Sequence, residues 1–452
     1  MIELSPEQIA DVAGAERVRE GGAGRPSRAE IDSRRISGGE LFFGLAGSRT
    51  DGGAHARAAL EAGAWGAVVE ADRAAELEAG SPGGWVFGVA DPLSSLQSLA
   101  TAWRRELGCR VVGITGSVGK TSVKDIVRAI LPLRAHASPE NFNTEIGLPL
   151  AILVAPPETE VLVLEMAMRG LGQIAELCEI AEPDVGAITN IGPVHLELLG
   201  TIEAIAEAKA EILEGLGDDG VAVVPADAEA LEPHLTDRLE TVTFGPGGDV
   251  HAVSWSRVGR GLEAGIHTQQ GEATVRLPFT EAHNLANALC ALAIGIALGC
   301  ALEEMSRRAP GISFSRLRGE LIELPAGSVL VNDCYNANPV SMHAALDHLA
   351  SLEASGSRIA VLGGMAELGP GGAGYHREAA AHARSLGIDT LVGVGELARD
   401  YAPDAWAPDP ESAVEEVRGL LGEGDAILVK GSRSVGMEVF TDTLLARIGE
   451  AE

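Results

Sequence analysis

A multidomain α/β protein is the fold class this sequence predicts, and three observations carry it. The chain has 452 residues, more than one ordinary core organises. Its 46% hydrophobic content, with charge spread along the chain, is globular rather than disordered. Near-continuous apolar runs of strand length alternate with helical stretches, the pattern of parallel sheets covered on both faces. Three domains are expected, at residues 1–107, 108–311 and 312–452.

In the first, "ELFFGLAG", "WGAVVE" and "WVFGVA" read as strands among Ala-rich helices, a small α/β domain. A helix over "SSLQSLATAWRREL" leads into the second, where "RVVGIT", "EVLVLEM", "DVGAITNI" and "GVAVVP" predict a mostly parallel sheet. Residues 241–281 are looser, with alternating strand-like segments, before a helix starting near Asn284. In the third, "SVLVNDCYN", "RIAVLGGM", "DTLVGVG" and "DAILVKGS" alternate with helices such as "VSMHAALDHLASLEA", giving a second, Rossmann-like sheet.

The net charge of −31 argues against non-specific binding to nucleic acid or to an anionic membrane, since both need basic surface. Phosphate ligands stay possible, because backbone amides and a few cations bind them locally. The five cysteines (Cys109, Cys178, Cys290, Cys300, Cys334) form no CxxC pair and read as reduced, buried thiols of a cytoplasmic protein. The first twenty residues lack the basic-then-apolar order of a signal peptide. The longest apolar run, 288–302, is too short to span a membrane and reads as a buried helix.

"GITGSVGKTS" (113–122) follows an apolar strand and precedes the helical "VKDIVRAIL". Glycines let amides wrap phosphates, Lys120 adds a point charge, and the Thr121 hydroxyl suits Mg²⁺. The spacing Gly113, Gly116, Gly119 departs from GxxxxGK[ST], yet strand, GKT and helix together make a strong nucleotide signal. Glu165 ends the strand "EVLVLEM", where α/β sheets place their ligands, so a metal role is favoured over that of a surface acid. His195 follows the neighbouring strand end in "ITNIGPVHLE".

Lysine is scarce: of 34 basic residues only Lys120, Lys124, Lys209 and Lys430 are lysines. In "IEAIAEAKAEIL" (202–213), Ile202, Ile205, Ile212 and Leu216 share one helical face, and Glu203, Glu207, Glu211 and Glu214 fall away from it. Lys209 sits on the apolar face, where an ammonium is costly unless paired or chemically altered.

These residues resemble the Mur ligases of peptidoglycan synthesis over essentially the whole chain. The phosphate loop, strand–Glu, "TNIGPVHLE" and "EAKAEI" are similar to the family's ATPase domain, and "HNLANAL" (283–289) to its nucleotide-contacting motif. "NFNTEIGLPL", "NDCYNANPVSM", "LGGMAELG" and "LVKGSRSVGME" resemble the branch that adds D-alanyl-D-alanine, and "DSRRISGGELFFGLAGSRTDG" its N-terminal UDP-substrate domain. Departures are Cys334 for Ser, Gly364 for Asp, "DGGAHA" (with Gly53) for DGHxF, and "EMAMRG" for EMG-x-N.

The resemblance implies an ATP-dependent ligase with two Mg²⁺ ions, one at Thr121 and Glu165, the other at His195 and Lys209, with Lys209 carried as an N-carbamate. Nucleotide contacts are expected from Gly113, Thr115, Gly116, Ser117, Val118, Gly119, Lys120, Thr121, Asn284, Asn287, Arg318 and Asp333. Ser33 and Arg34 are expected to hold the UDP portion, and Asn336, Asn338, Lys430 and Ser432 to contact substrate, with Arg433 equally suited to a surface charge. The implied partners are UDP-N-acetylmuramoyl-tripeptide and D-alanyl-D-alanine, with no nucleic acid or membrane, acting on a monomer in the cytoplasm. Another Mur-type ligase, a folylpolyglutamate-type ligase and a nucleotide switch without ligase chemistry stay open as alternatives.

Overall fold

The computed structural model describes residues 4–47, 50–78, 83–139, 141–194, 196–259 and 261–449. Among them four sheets form. The first orders its strands Arg17–Arg19, Trp85–Val89, Gly66–Glu70, Leu41–Phe43, Ala29–Glu30, parallel except for the first. The long helix Pro92–Leu107, capped by Asp91, joins it to the next unit and is shared by both cores. Leu96, Leu99 and Trp103 pack with Leu148 and Ile152, and Trp103 Nε1 donates to Ala155 O at 3.2 Å.

The central sheet is wholly parallel, in the order Glu240–Phe244, Val221–Pro225, Val185–Ile188, Arg110–Thr115, Val161–Glu165, Ala135–Ala137. Its strands are buried on both faces, which is why their sequences are apolar without alternation. Arg110–Thr115 and Val161–Glu165 end side by side, with Ile114 opposite Glu165, so the phosphate loop and the carboxylate leave the sheet at one edge.

The looser region becomes an antiparallel sheet, His251–Val258, Gly261–Thr268 and Gly271–Leu277. Its middle strand alternates buried and half-buried residues because only one face meets the central core. The last sheet runs Glu320–Glu323, Val329–Asn332, Ala426–Lys430, Arg358–Gly363, Thr390–Val394, Ala405–Ala407, with only the first strand antiparallel.

Two expectations need correction. The run 288–302 is not one helix: Ala282–Ala297 ends at Leu298, Gly299 adopts a left-handed φ of 80°, and a second helix starts at Leu302. Glu211 does not face solvent. It is buried, and its carboxylate accepts from the backbone N–H groups of Gly172, Ile174 and Ala175 (2.5–3.1 Å), satisfying the free amides that open the helix Gln173–Ala181. All five cysteines are buried and unbridged, as expected. Among the described residues no helix is long and apolar enough to cross a membrane.

Candidate active site

The chain turns from the strand Arg110–Thr115 into the helix Lys120–Ile130 through a loop that only glycine can build at two points. Gly116 has φ 145° and lies so close to Thr189 that a Cβ would collide with it. Gly119, at φ 84°, caps the helix and touches Asn287 in the same way. The segment that follows the neighbouring strand Val185–Ile188 fixes the loop. Ser117 N donates to Asn190 O (3.1 Å), Val118 N to Asn190 Oδ1 (3.0 Å), and Ser117 Oγ exchanges hydrogen bonds with Gly192. The helix N-terminus and its free amides are thereby aimed into a cleft of about 1270 Å³ lined by the central and third units.

Lys120 curls back, its Nζ donating to Gly116 O at 2.7 Å. Burial pulls its pKa below the usual lysine range, Glu165 opposes that shift, and Arg318 reinforces it. Thr121 Oγ1 donates to Glu165 Oε2 at 2.8 Å, and Asn143 Nδ2 to Glu165 Oε1 at 2.8 Å. The Glu165 carboxylate is 3% exposed, yet among the described residues no cation lies within ion-pair distance of it. Its carboxylate oxygens, with the Thr121 hydroxyl beside them, suit a hard divalent cation such as Mg²⁺. Arg318 NH2 donates to Thr121 Oγ1 (3.1 Å) while its guanidinium stacks on Tyr335, 3.9 Å from the ring centre. Its Nε is buried without an acceptor among the described residues, a donor free to meet an anion.

Asn284 and Asn287 are buried on the helix Ala282–Ala297 and bonded to each other (2.8 Å), and both line the cleft. On the opposite bank Lys430 Nζ donates to Asp333 Oδ2 (2.6 Å), Asp333 O (3.4 Å) and Asn336 O (3.0 Å). Ser432 Oγ accepts from Ala366 N (2.8 Å) and donates to Ala337 O (3.3 Å). Asn338 caps the helix Pro339–Ser351 in a reciprocal box with Ser341, and Asn336 Oδ1 accepts from Ala337 N. Arg433 pairs with Glu438 at 2.9 Å.

The structure does not bring every expected residue here. Gly113 lies inside its strand, where a Cβ would meet Ile212 and Met166 at 3.1 Å, so it serves close packing rather than wrapping phosphate. Thr115 ends the strand and Gly116 opens the loop, and both are outside the cleft lining. Ser33 and Arg34 form a turn of the first unit, outside that lining, with Arg34 held by Asp32 in a two-pronged pair (2.9 and 2.7 Å). Lys209 is 2% exposed, on the helix Ile202–Glu214; burial, and then the charge of Lys120, push its pKa well below the usual value. Among the described residues it has no carboxylate partner, and none form a group of three His, Cys, Asp or Glu able to hold a metal. His195 lies outside the described residues. The sequence reading missed Asn143, whose amide orients Glu165, although "NFNTEIG" contains it.

Profiles described as "Mur ligase family, catalytic domain", "Mur ligase middle domain" and "Mur ligase, glutamate ligase domain" match residues 28–96, 114–295 and 317–433. The chain is 38% identical to the UDP-N-acetylmuramoyl-tripeptide--D-alanyl-D-alanine ligase of Bacillus subtilis, covering 92% of each chain. It is 31% identical to the enzyme of that name from Escherichia coli, covering 97% of each. In structure it is similar to MurF from Acinetobacter baumannii, with TM-score 0.87, 27% identity, and 97% and 98% of the two chains covered. The MurF ligase of Thermotoga maritima in complex with ADP matches at TM-score 0.81 and 29% identity, covering 94% and 98%. With family signatures in all three units and this similarity along its length, the chain belongs to the Mur ligase family.

Proposed function

We infer that this chain is an ATP-dependent ligase that joins D-alanyl-D-alanine to the terminal carboxylate of UDP-N-acetylmuramoyl-tripeptide through an acyl phosphate, in peptidoglycan precursor synthesis. The observation that carries this reading is the cleft itself. A phosphate loop and an uncompensated carboxylate on one bank face a polar bank from the third unit, and the chain is similar to UDP-N-acetylmuramoyl-tripeptide--D-alanyl-D-alanine ligases over 92% and 97% of its length.

A substrate carboxylate oxygen attacks the γ-phosphorus of ATP, and ADP leaves. The dipeptide amine then attacks the acyl carbon, losing its proton as the amide forms, and phosphate leaves. The first step brings anions together, so Lys120 and the helix amides must neutralise charge as it is transferred, with Arg318 assisting from the linker. Thr121 and Glu165 would hold Mg²⁺, which supplies further neutralisation when bound. Asn284 and Asn287 hold the nucleotide with Ser117, Val118 and Gly119; Asp333, locked by Lys430, reaches it from the other bank. Asn336, Asn338 and Ser432 shape the acceptor side, and Ser33 and Arg34 hold the UDP end on the first unit. The units divide at 107/108 and 311/312. The buried, unbridged thiols support a reducing, cytoplasmic setting, and the enzyme acts as a monomer.

The finer part of this reading is that Lys209 is an N-carbamate, serving a second metal with His195. Burial frees its amine to react with CO₂, and the resulting carboxylate needs no ammonium in an apolar helix face. Lys209→Ala should lose turnover and regain part of it with acetate or propionate. Rescue by alkylamines alone overturns the carbamate.

The function itself is tested by phosphate release against a panel of acceptors and amines. Release should require both the UDP-muramoyl-tripeptide and D-alanyl-D-alanine. Faster turnover with a single amino acid, or with a folate and glutamate, overturns the substrate assignment.

A further inference from the structure

Lys124 and Asp125 lie one turn past Lys120 and Thr121, are almost wholly buried (2% and 3% exposed), and touch nothing in the cleft. A buried lysine–aspartate pair inside a helix needs a reason, because desolvation of both charges offsets most of their attraction. Their ammonium and carboxylate are 3.8 Å apart, and each reaches a different segment. Lys124 Nζ donates to Ser138 O at 2.9 Å, and Ser138 Oγ accepts from Glu165 N at 3.3 Å. Asp125 Oδ2 accepts from both Ser315 N (2.8 Å) and Ser315 Oγ (2.7 Å), on the linker 312–319 that opens the third unit and joins it to the central one.

That linker lies along the helix in register. Asp125 and Thr121 are one helical turn apart, and the linker residues bonded to them, Ser315 and Arg318, are three apart. Between and beyond these contacts the backbone is forced. Leu317 adopts a left-handed φ of 65°, rare for a side chain of this kind, and Gly319 follows at 72°. From the third unit, Tyr335 N donates to Leu317 O at 3.2 Å while its ring lies under the Arg318 guanidinium.

We propose that Asp125 is a positioning residue for the ligase reaction: by clamping Ser315 it pins the interdomain linker to the phosphate-loop helix and so sets Arg318 on Thr121. The strained turn at Leu317 persists because it is held on both sides, by Asp125 at Ser315 and by Tyr335 at Leu317. Releasing the first hold lets the turn relax and carries the guanidinium away from the phosphate site. This rests on the ligase reading of the cleft, through the role given there to Arg318.

The test combines steady-state ADP formation with limited trypsin cleavage of the linker at Arg316 and Arg318. Variants are Ser315→Ala, Ser315→Thr, Asp125→Asn, Arg318→Ala and the Asp125→Asn/Arg318→Ala pair, each checked by thermal melting. Ser315→Ala and Asp125→Asn should each lower kcat/KM for ATP about tenfold, the weight of a hydrogen bond to a charged group, and speed linker cleavage similarly. Ser315→Thr keeps the hydroxyl and should retain both. In the Arg318→Ala background, Asp125→Asn should cost nothing more in rate. Multiplying effects in that double variant, or wild-type turnover and cleavage in Ser315→Ala, overturn the proposal. If the folded wild type forms no ADP with its substrates, the ligase reading fails, and linker cleavage alone then decides whether the clamp exists.

Discussion

The two banks of the cleft each present a carboxylate and a lysine, arranged in opposite ways. On the central bank Glu165 is oriented by neutral donors, Thr121 and Asn143, while Lys120 rests on a carbonyl of its own loop. On the third-unit bank Asp333 and Lys430 are bonded to each other at 2.6 Å, and the remaining Lys430 donors go to backbone carbonyls. The first arrangement leaves charge uncompensated for a ligand; the second has its charge already satisfied. Residue type alone does not reveal which bank does chemistry, whereas the partner of each charge does.

The largest expected effect breaks the open bank. Lys120→Ala should lower kcat about a thousandfold, the scale of losing charge stabilisation at a transferring group, with a melting temperature close to wild type. Glu165→Gln keeps the shape but removes the charge and one of the two acceptor oxygens, so activity should require much higher Mg²⁺. Unchanged Mg²⁺ dependence would make Glu165 a structural acid and erase the contrast.

Breaking the closed bank should do the reverse. Lys430→Met strands Asp333 against its carbonyl neighbours and should cost about 2–3 kcal/mol of stability, less than a fully buried pair because Asp333 keeps some solvent. Asp333→Asn/Lys430→Met should recover most of that loss. Denaturant unfolding measures both. A Lys430→Met protein of wild-type stability but greatly reduced nucleotide binding would move Lys430 to the ligand-binding class.

This contrast also explains what was legible in the sequence. The phosphate loop and Glu165 could be read because their signals are local, a Gly-rich turn between strand and helix and an acid at a strand end. Glu211 and Asp125 could not be read, since their partners, Gly172 and Ser315, lie far along the chain. Periodicity shows only that Glu211 lies off the apolar face of its own helix, whereas a capping carboxylate is buried by what packs against it. Asn338, a candidate substrate contact, also precedes Pro-x-Ser, a pattern that spells a helix cap, and the structure shows that cap. Gly364 has a packing reason: a Cβ there would stand 2.5 Å from Leu397 Cβ.

The smallest expected effect sharpens the comparison where the two banks meet. His348, on the helix Pro339–Ser351, lies 3.6 Å from Glu281, which precedes the helix carrying Asn284 and Asn287. Burial, then Arg257, lower the His348 pKa to about 4 from 6.5, while Asp333 pulls it back. A histidine held neutral in the folded protein binds fewer protons than in the unfolded chain between those values. Its contribution is therefore complete above pH 6.5 and is lost as pH falls toward 4. Glu281 has the opposite sign: burial raises its pKa above the usual carboxylate value, so the folded state binds the extra proton and gains as pH falls through the raised value. The wild-type protein should lose less stability over that window than His348 alone would cost, because the two groups act in opposite directions. His348→Gln should flatten the fall or reverse it, whereas Glu281→Gln should steepen it. Denaturant unfolding of the three proteins at pH 7, 6 and 5 separates these outcomes. Parallel pH profiles for all three would mean that this junction carries no titrating charge that folding alters.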